Sequence, residues 1–172
     1  MTVHDRCKMP ERKTNRDGQE RKVGVEIELS GLTYEALVAH AARLLGGEPE
    51  LTSRYVTRLD TDAGVFTIEL DSDPIKDLDL ADERLPESIR ELGNHAMDVI
   101  DFAAEKIVPL EIVGPPLAMS ALDMIENLVD ELRGLGAEGS REAIYFAFGL
   151  QLNPELPDLE PDTLVHYLQA FA

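Results

Sequence analysis

Four segments of the chain place acidic or amide side chains at every second residue, between apolar neighbours. Lys22 to Ser30 (KVGVEIELS) alternates Val23, Val25, Ile27 and Leu29 with Gly24, Glu26, Glu28 and Ser30. Successive side chains of a β-strand point to opposite faces, so this alternation predicts a half-buried strand carrying Glu26 and Glu28 on its wet face. Their α-carbons then lie about 6.5–7 Å apart, close enough for both carboxylates to reach one metal-phosphate group. Glu69 and Asp71 alternate with Ile68 and Leu70, Glu111 falls between Leu110 and Ile112, and Gln151 and Asn153 alternate with Leu150 and Leu152. If these strands adjoin, one sheet face carries a field of oxygen ligands. Oxygen donors without histidine or thiolate suit hard cations, magnesium above all, and a bound cation offsets the mutual repulsion of clustered carboxylates. Any single E-x-E, taken alone, is far more often simply the wet face of an ordinary half-buried sheet. Repetition on four otherwise apolar segments is what points to a ligand field.

The elements that must position these residues are read from periodicity. Thr33 opens a helical pattern through Leu37, Val38, Ala41, Leu44 and Leu45, stopped by Gly46 and Gly47. Tyr55 to Asp60 and Val65 to Asp71 flank a Thr-Asp-Ala-Gly turn and predict an antiparallel hairpin with Phe66, Ile68 and Leu70 on the core face. Ile89, Leu92, Ala96, Val99, Ile100 and Ala103 give a long amphipathic helix over Pro86 to Lys106. Val108 to Val113 predicts a short strand ended by Pro115-Pro116. Ser120 and Asp123 resemble a capping pair for a helix through Leu122, Ile125, Leu128, Val129 and Leu132, closed by Gly134 and Gly136. Ile144 to Asn153 predicts a strand broken by Pro154 and Pro157, and a final helix begins at Asp162 or Thr163 and runs to Phe171. Together these give an α+β domain, a mostly antiparallel sheet with helices on one face, with parallel pairs left open where a helix intervenes.

Composition narrows the function classes. The 172 residues carry 16 Lys/Arg against 34 Asp/Glu, a net charge of −18, which repels phosphate backbones and argues against nucleic-acid binding through a broad basic surface. Residues 1–22 hold seven Lys/Arg and four Asp/Glu, a net of +3, and residues 1–21 are expected to form a flexible tail. The acidic excess therefore belongs to residues 22–172, the folded part. No apolar run is long enough for a membrane span and no signal peptide opens the chain, so the cytoplasm is the expected compartment. The single Cys7 excludes an internal disulfide framework and a cysteine-based zinc cluster. His40, His95 and His166 fall on predicted helices as packing or solvated residues. The glycine-rich stretch 134–140 lacks the Lys-Ser/Thr of a P-loop. Lys76 and Arg141 are the better candidates for contact with a phosphate.

Four motifs, in chain order, resemble those of the amidoligase family within the carboxylate-amine ligase superfamily, relatives of glutamine synthetase and glutamate-cysteine ligase. They are Gly24 to Leu29 (GVEIEL), Phe66 to Asp71 (FTIELD), Pro109 to Leu117 (PLEIVGPPL) and Phe148 to Glu155 (FGLQLNPE). The resemblance spans about Lys22 to the C-terminus. It implies a sheet like part of a glutamine synthetase-like catalytic domain, with ATP as substrate and Mg²⁺ as cofactor. The reaction it implies joins an amino-acid or peptide-like carboxylate to an amine through an acyl phosphate. By the same resemblance Glu26, Glu28 and Glu111 are metal ligands, Gln151 and Asn153 line the metal or phosphate site, and Glu69 is a ligand or a substrate contact. Gln151 stands where many relatives have histidine, so a neutral amide oxygen replaces an imidazole there. The likeness is to an N-terminal half of such domains. It leads to the expectation that residues 22–172 form a domain incomplete at its C-terminus, completed by a homodimer or a complementing chain, and that the chain by itself performs no ligation. The alternative is a truncated or degenerate, non-catalytic acidic domain of the same fold that binds a protein partner.

Overall fold

The computed structural model describes residues 8–53, 55–70, 110–138 and 149–171. Strand β1 (Lys22–Leu29) is followed by helix α1 (Tyr34–Leu45) and by β2 (Glu48–Ser53), β3 (Val56–Thr61) and β4 (Gly64–Leu70). After an interval outside the described residues come β5 (Leu110–Val113), β6 (Leu117–Ala118), α2 (Leu122–Gly134), β7 (Leu150–Pro154) and α3 (Pro161–Phe171). The fold is α+β, and every described strand pair is antiparallel. The sheet runs β2-β3-β4-β5-β1, with β6 beside the start of β1 and β7 on the other side of β1.

Alternation builds the core. Val23, Val25, Ile27 and Leu29 are buried while Gly24, Glu26 and Glu28 are half-buried. Their buried set joins Leu59, Phe66, Ile68, Leu110 and Ile112 from the other strands, Leu37 and Ala41 from α1, and Ile125, Leu128 and Leu132 from α2 in one cluster. Thr33 caps α1 as its spacing predicts, its hydroxyl accepting the Ala36 N–H at 3.3 Å. The hairpin also forms as expected, with Thr61 opposite Gly64 across a two-residue turn. Gly64 has φ of 119°, and a Cβ there would come within 2.9 Å of Pro115, so the turn needs both the positive φ and the missing side chain.

One local expectation changes, and two strands, β2 and β6, come unforeseen. Ser120 and Asp123 form no capping pair. Residues Met119–Ala121 make a 3₁₀ turn, Ala121 is the N-cap of α2 without a side-chain cap, and the Ser120 N–H donates to Glu20 instead, at 2.9 Å. Pro115-Pro116 follows the end of β5 at Val113 as expected, and β6 beyond it resumes pairing with β1 at Lys22 and Val23, one register step out of line with β5. Strand β2 was not foreseen, since all six of its residues are exposed and leave no alternation to read. The predicted helix over 86–106, most of the stretch 144–149, Asp71 and the two residues before β5 lie outside the described residues. No described helix is long and apolar enough to cross a membrane.

Candidate functional site

The register brings the acidic residues into one row. Glu28 pairs directly with Glu111 across β1 and β5, and Glu111 pairs directly with Glu69 across β5 and β4. Directly opposed residues of an antiparallel pair share a face, so Glu28, Glu111 and Glu69 share one face, with Glu26 beside Glu28 two residues along the strand. The Gly114 N–H donates to the Val25 carbonyl at 2.8 Å, which makes Val25 and Gly114 a hydrogen-bonded pair and Glu28 and Glu111 a non-hydrogen-bonded one. In such a pair the α-carbons stand about 4.5 Å apart and the side chains are at their closest. The Leu70 N–H donates to Tyr55 at 3.2 Å, and by the same alternation Glu111 and Glu69 form the wider kind of pair, with α-carbons about 5.5 Å apart.

The amide residues of β7 join this face. Gln151 lies opposite Glu26, and Asn153 lies opposite Gly24. Each reaches diagonally to a carboxylate. Gln151 Nε2 donates to Glu28 Oε1 at 2.9 Å, and Asn153 Nδ2 donates to Glu26 Oε1 at 3.2 Å. With their NH₂ groups engaged this way, the amide oxygens remain as acceptors for a cation or a donor. A Cβ built on Gly24 would stand 3.4 Å from the Asn153 Cβ, in ordinary van der Waals contact, so the two strands approach closely here.

Two residues that the motifs did not single out belong to the same surface. Thr67 lies opposite Val113, and Arg58 lies opposite Thr67, so both share the face of Glu26. The Arg58 guanidinium stands 3.7 Å from the Asp60 carboxylate and is half exposed. Strand parity within the predicted hairpin was the available signal for Arg58. Lys76 and Arg141, the expected phosphate contacts, lie outside the described residues.

The donor chemistry of the row, glutamate oxygens with amide oxygens beside them, fits a hard divalent cation, and the register supplies a common face. Among the described residues no three acidic, histidine or cysteine groups already converge on one point.

At the end of β7 the chain is tied down. Glu155 accepts the Asn15 side-chain amide at 3.0 Å and the Lys22 N–H at 2.9 Å. These two hydrogen bonds, the Asn15 one foremost, hold its carboxyl below the usual glutamate value. Arg21, within the stretch expected as a tail, is only 1% exposed.

The sequence model of one family, described as "putative amidoligase enzyme", matches residues 19–172. No curated protein and no solved structure matches the chain.

Proposed function

Because the chain belongs to the amidoligase family, we propose that its acidic sheet face serves an ATP- and magnesium-dependent ligase reaction joining a carboxylate to an amine through an acyl phosphate. The observation that carries this reading is the direct cross-strand row Glu28, Glu111, Glu69. Like charges placed directly opposite one another disfavour a strand pair, and a shared cation reverses the sign of that interaction. A row of three on adjacent strands is thus an arrangement that gains most from a divalent ion.

In this reading Glu28, Glu111 and Glu26 hold the cation, and Glu69 holds it or contacts the incoming substrate. When bound, magnesium supplies charge neutralisation to the triphosphate. Gln151 and Asn153 hold the β1 carboxylates in place through their NH₂ groups and present their carbonyl oxygens to the site. Arg58 provides a positive charge on this face that an anionic substrate group or phosphate oxygen would meet. The protein's contribution is positioning and electrostatic preorganisation on a rigid sheet rather than a nucleophile. The carboxylate oxygen of the substrate attacks the γ-phosphorus of ATP with ADP as the leaving group, and the amine then attacks the acyl carbon of the resulting acyl phosphate, expelling inorganic phosphate as the amide bond forms. Substrates are amino-acid or peptide-like.

The experiment is hydroxamate trapping. Protein expressed from its complete reading frame, with any chain that co-purifies, is given ATP, Mg²⁺, hydroxylamine and a panel of amino-acid and peptide carboxylates. The reading requires Mg²⁺-dependent hydroxamate with matching ADP release, lost in Glu111→Gln. ADP release without hydroxamate for any carboxylate would overturn it.

A further inference from the structure

The two amide residues of the site sit on a strand whose register burial alone does not specify. Strand β7 has five residues, all exposed, and the apolar pair on its core side, Leu150 and Leu152, is 42% and 41% exposed. A slip of one residue would carry Gln151 and Asn153 to the opposite face and break both amide-carboxylate hydrogen bonds, and strands with little buried surface are the ones prone to such slips. Something other than apolar packing must fix the pairing.

The geometry points to Arg21 as the positioning residue that sets the register of β7 against β1, and its bearing on catalysis rests on the reading of the acidic face given above. Arg21 immediately precedes β1 and shares the strand parity of Val23 and Val25, which sends its side chain to the core side. It is buried, and its guanidinium donates in three directions. Nε donates to the Glu155 carbonyl at 2.7 Å, Nη1 to the Arg12 carbonyl at 2.8 Å, and Nη2 to the Tyr167 hydroxyl at 2.5 Å. Its carbon lies 5.8 Å from the centroid of the Tyr167 ring. Glu155 is the first residue beyond β7, and its N–H donates to the Lys22 carbonyl at 2.8 Å.

A buried guanidinium tolerates the loss of an acceptor poorly, because the unmet donor is left without water. Moving the chain one step so that Pro154 takes the place of Glu155 also deletes a hydrogen bond, since proline has no N–H to offer Lys22. Pro154 therefore penalises the slip in this direction, and Arg21 fastens the observed alignment through the Glu155 carbonyl. Tyr167 and Arg12 anchor the guanidinium from α3 and from the N-terminal segment, so the alignment is referenced to two further parts of the molecule.

Cross-strand disulfide trapping tests this without any substrate or metal, so it stands or fails separately from the ligase reading. Gly24 and Asn153 are direct partners, and the Cβ positions there fall close to disulfide range. In a Cys7→Ser background, Gly24→Cys with Asn153→Cys is oxidised with diamide, alongside the control pair Thr67→Cys with Val113→Cys, which are direct partners across β4 and β5. With Arg21 present both pairs should close. With Arg21→Met the 24/153 yield should fall by at least about fivefold while the 67/113 yield holds, the mark of a lost register rather than a lost fold. If Arg21→Met gives no soluble protein, Tyr167→Phe replaces it, with at least about a twofold fall expected at 24/153 alone. A 24/153 yield indifferent to these changes, or a loss shared equally by the control pair, would overturn the proposal.

Discussion

Glu28 and Glu111 face each other as direct partners across β1 and β5, in the pair type that brings side chains closest, with Glu69 next in line across β4. Carboxylates placed directly opposite one another repel, and a shared cation reverses the sign of that interaction, so the proposed role has a consequence measurable in stability as well as in binding.

Glu69→Gln removes one member of the row while keeping its shape. In EDTA the variant should be more stable than the parent by up to about 1 kcal/mol, a rise in Tm of at most roughly 2–4 °C for a chain of this size. In millimolar Mg²⁺ that advantage should shrink or reverse. Differential scanning calorimetry under both conditions reads the comparison, and a variant less stable than the parent in EDTA would show that Glu69 is not under like-charge strain.

Acid should loosen the contact between the N-terminal segment and the region before α3. The Thr163 hydroxyl, then Arg12, then the Glu160 N–H hold the Asp158 carboxyl down from its ordinary 3.8 to about 2. Glu155 is lowered by Asn15 and the Lys22 N–H, and Glu20 by Ser120, both from 4.5. A depressed folded-state value means stability that is present above the unfolded value and lost as pH falls through the folded one. The loss should therefore begin near pH 4.5 and continue toward pH 2. Asp158→Asn should melt below the parent at pH 6, with the gap closing as pH approaches 2. A gap that stays constant over that range would contradict the assignment.

Ile112 lies beneath the acidic row, 1% exposed, between Glu111 and Val113. Ile112→Ala leaves a cavity under the strand that carries Glu111 and should cost about 2–5 kcal/mol. Urea unfolding measures it, and a loss below about 1 kcal/mol would mean the site rests on a core that can collapse around the change.

What the sequence made legible was periodic. Strict alternation in KVGVEIELS, the Thr33 cap, the Asp62-Ala63 turn and the parity of Glu69, Glu111, Gln151 and Asn153 all survive because alternation and capping are local rules. What escaped had no local signal. Strand β2 is wet on both sides, and β6 is two residues long beyond a proline pair. Ser120 was drawn away from capping by a glutamate one hundred residues earlier in the chain. Arg21 looked like one more charge in a charged tail. Its parity with Val23 placed it on the core side, yet the acceptors that let a guanidinium be buried there come from Arg12, Glu155 and Tyr167, and no rule of spacing joins them.

Isothermal titration of Mg²⁺ into the parent protein and into Glu111→Gln, each with and without ATP, tests most directly the proposal that the row holds a metal ion. Glu111 is the middle member, the one carboxylate adjacent to both others, so its loss as a charged ligand should weaken Mg²⁺ by at least about tenfold, and ATP should tighten binding in the parent more than in the variant. An Mg²⁺ affinity unchanged by Glu111→Gln would place the cation elsewhere and remove the basis for the proposed reaction at this face.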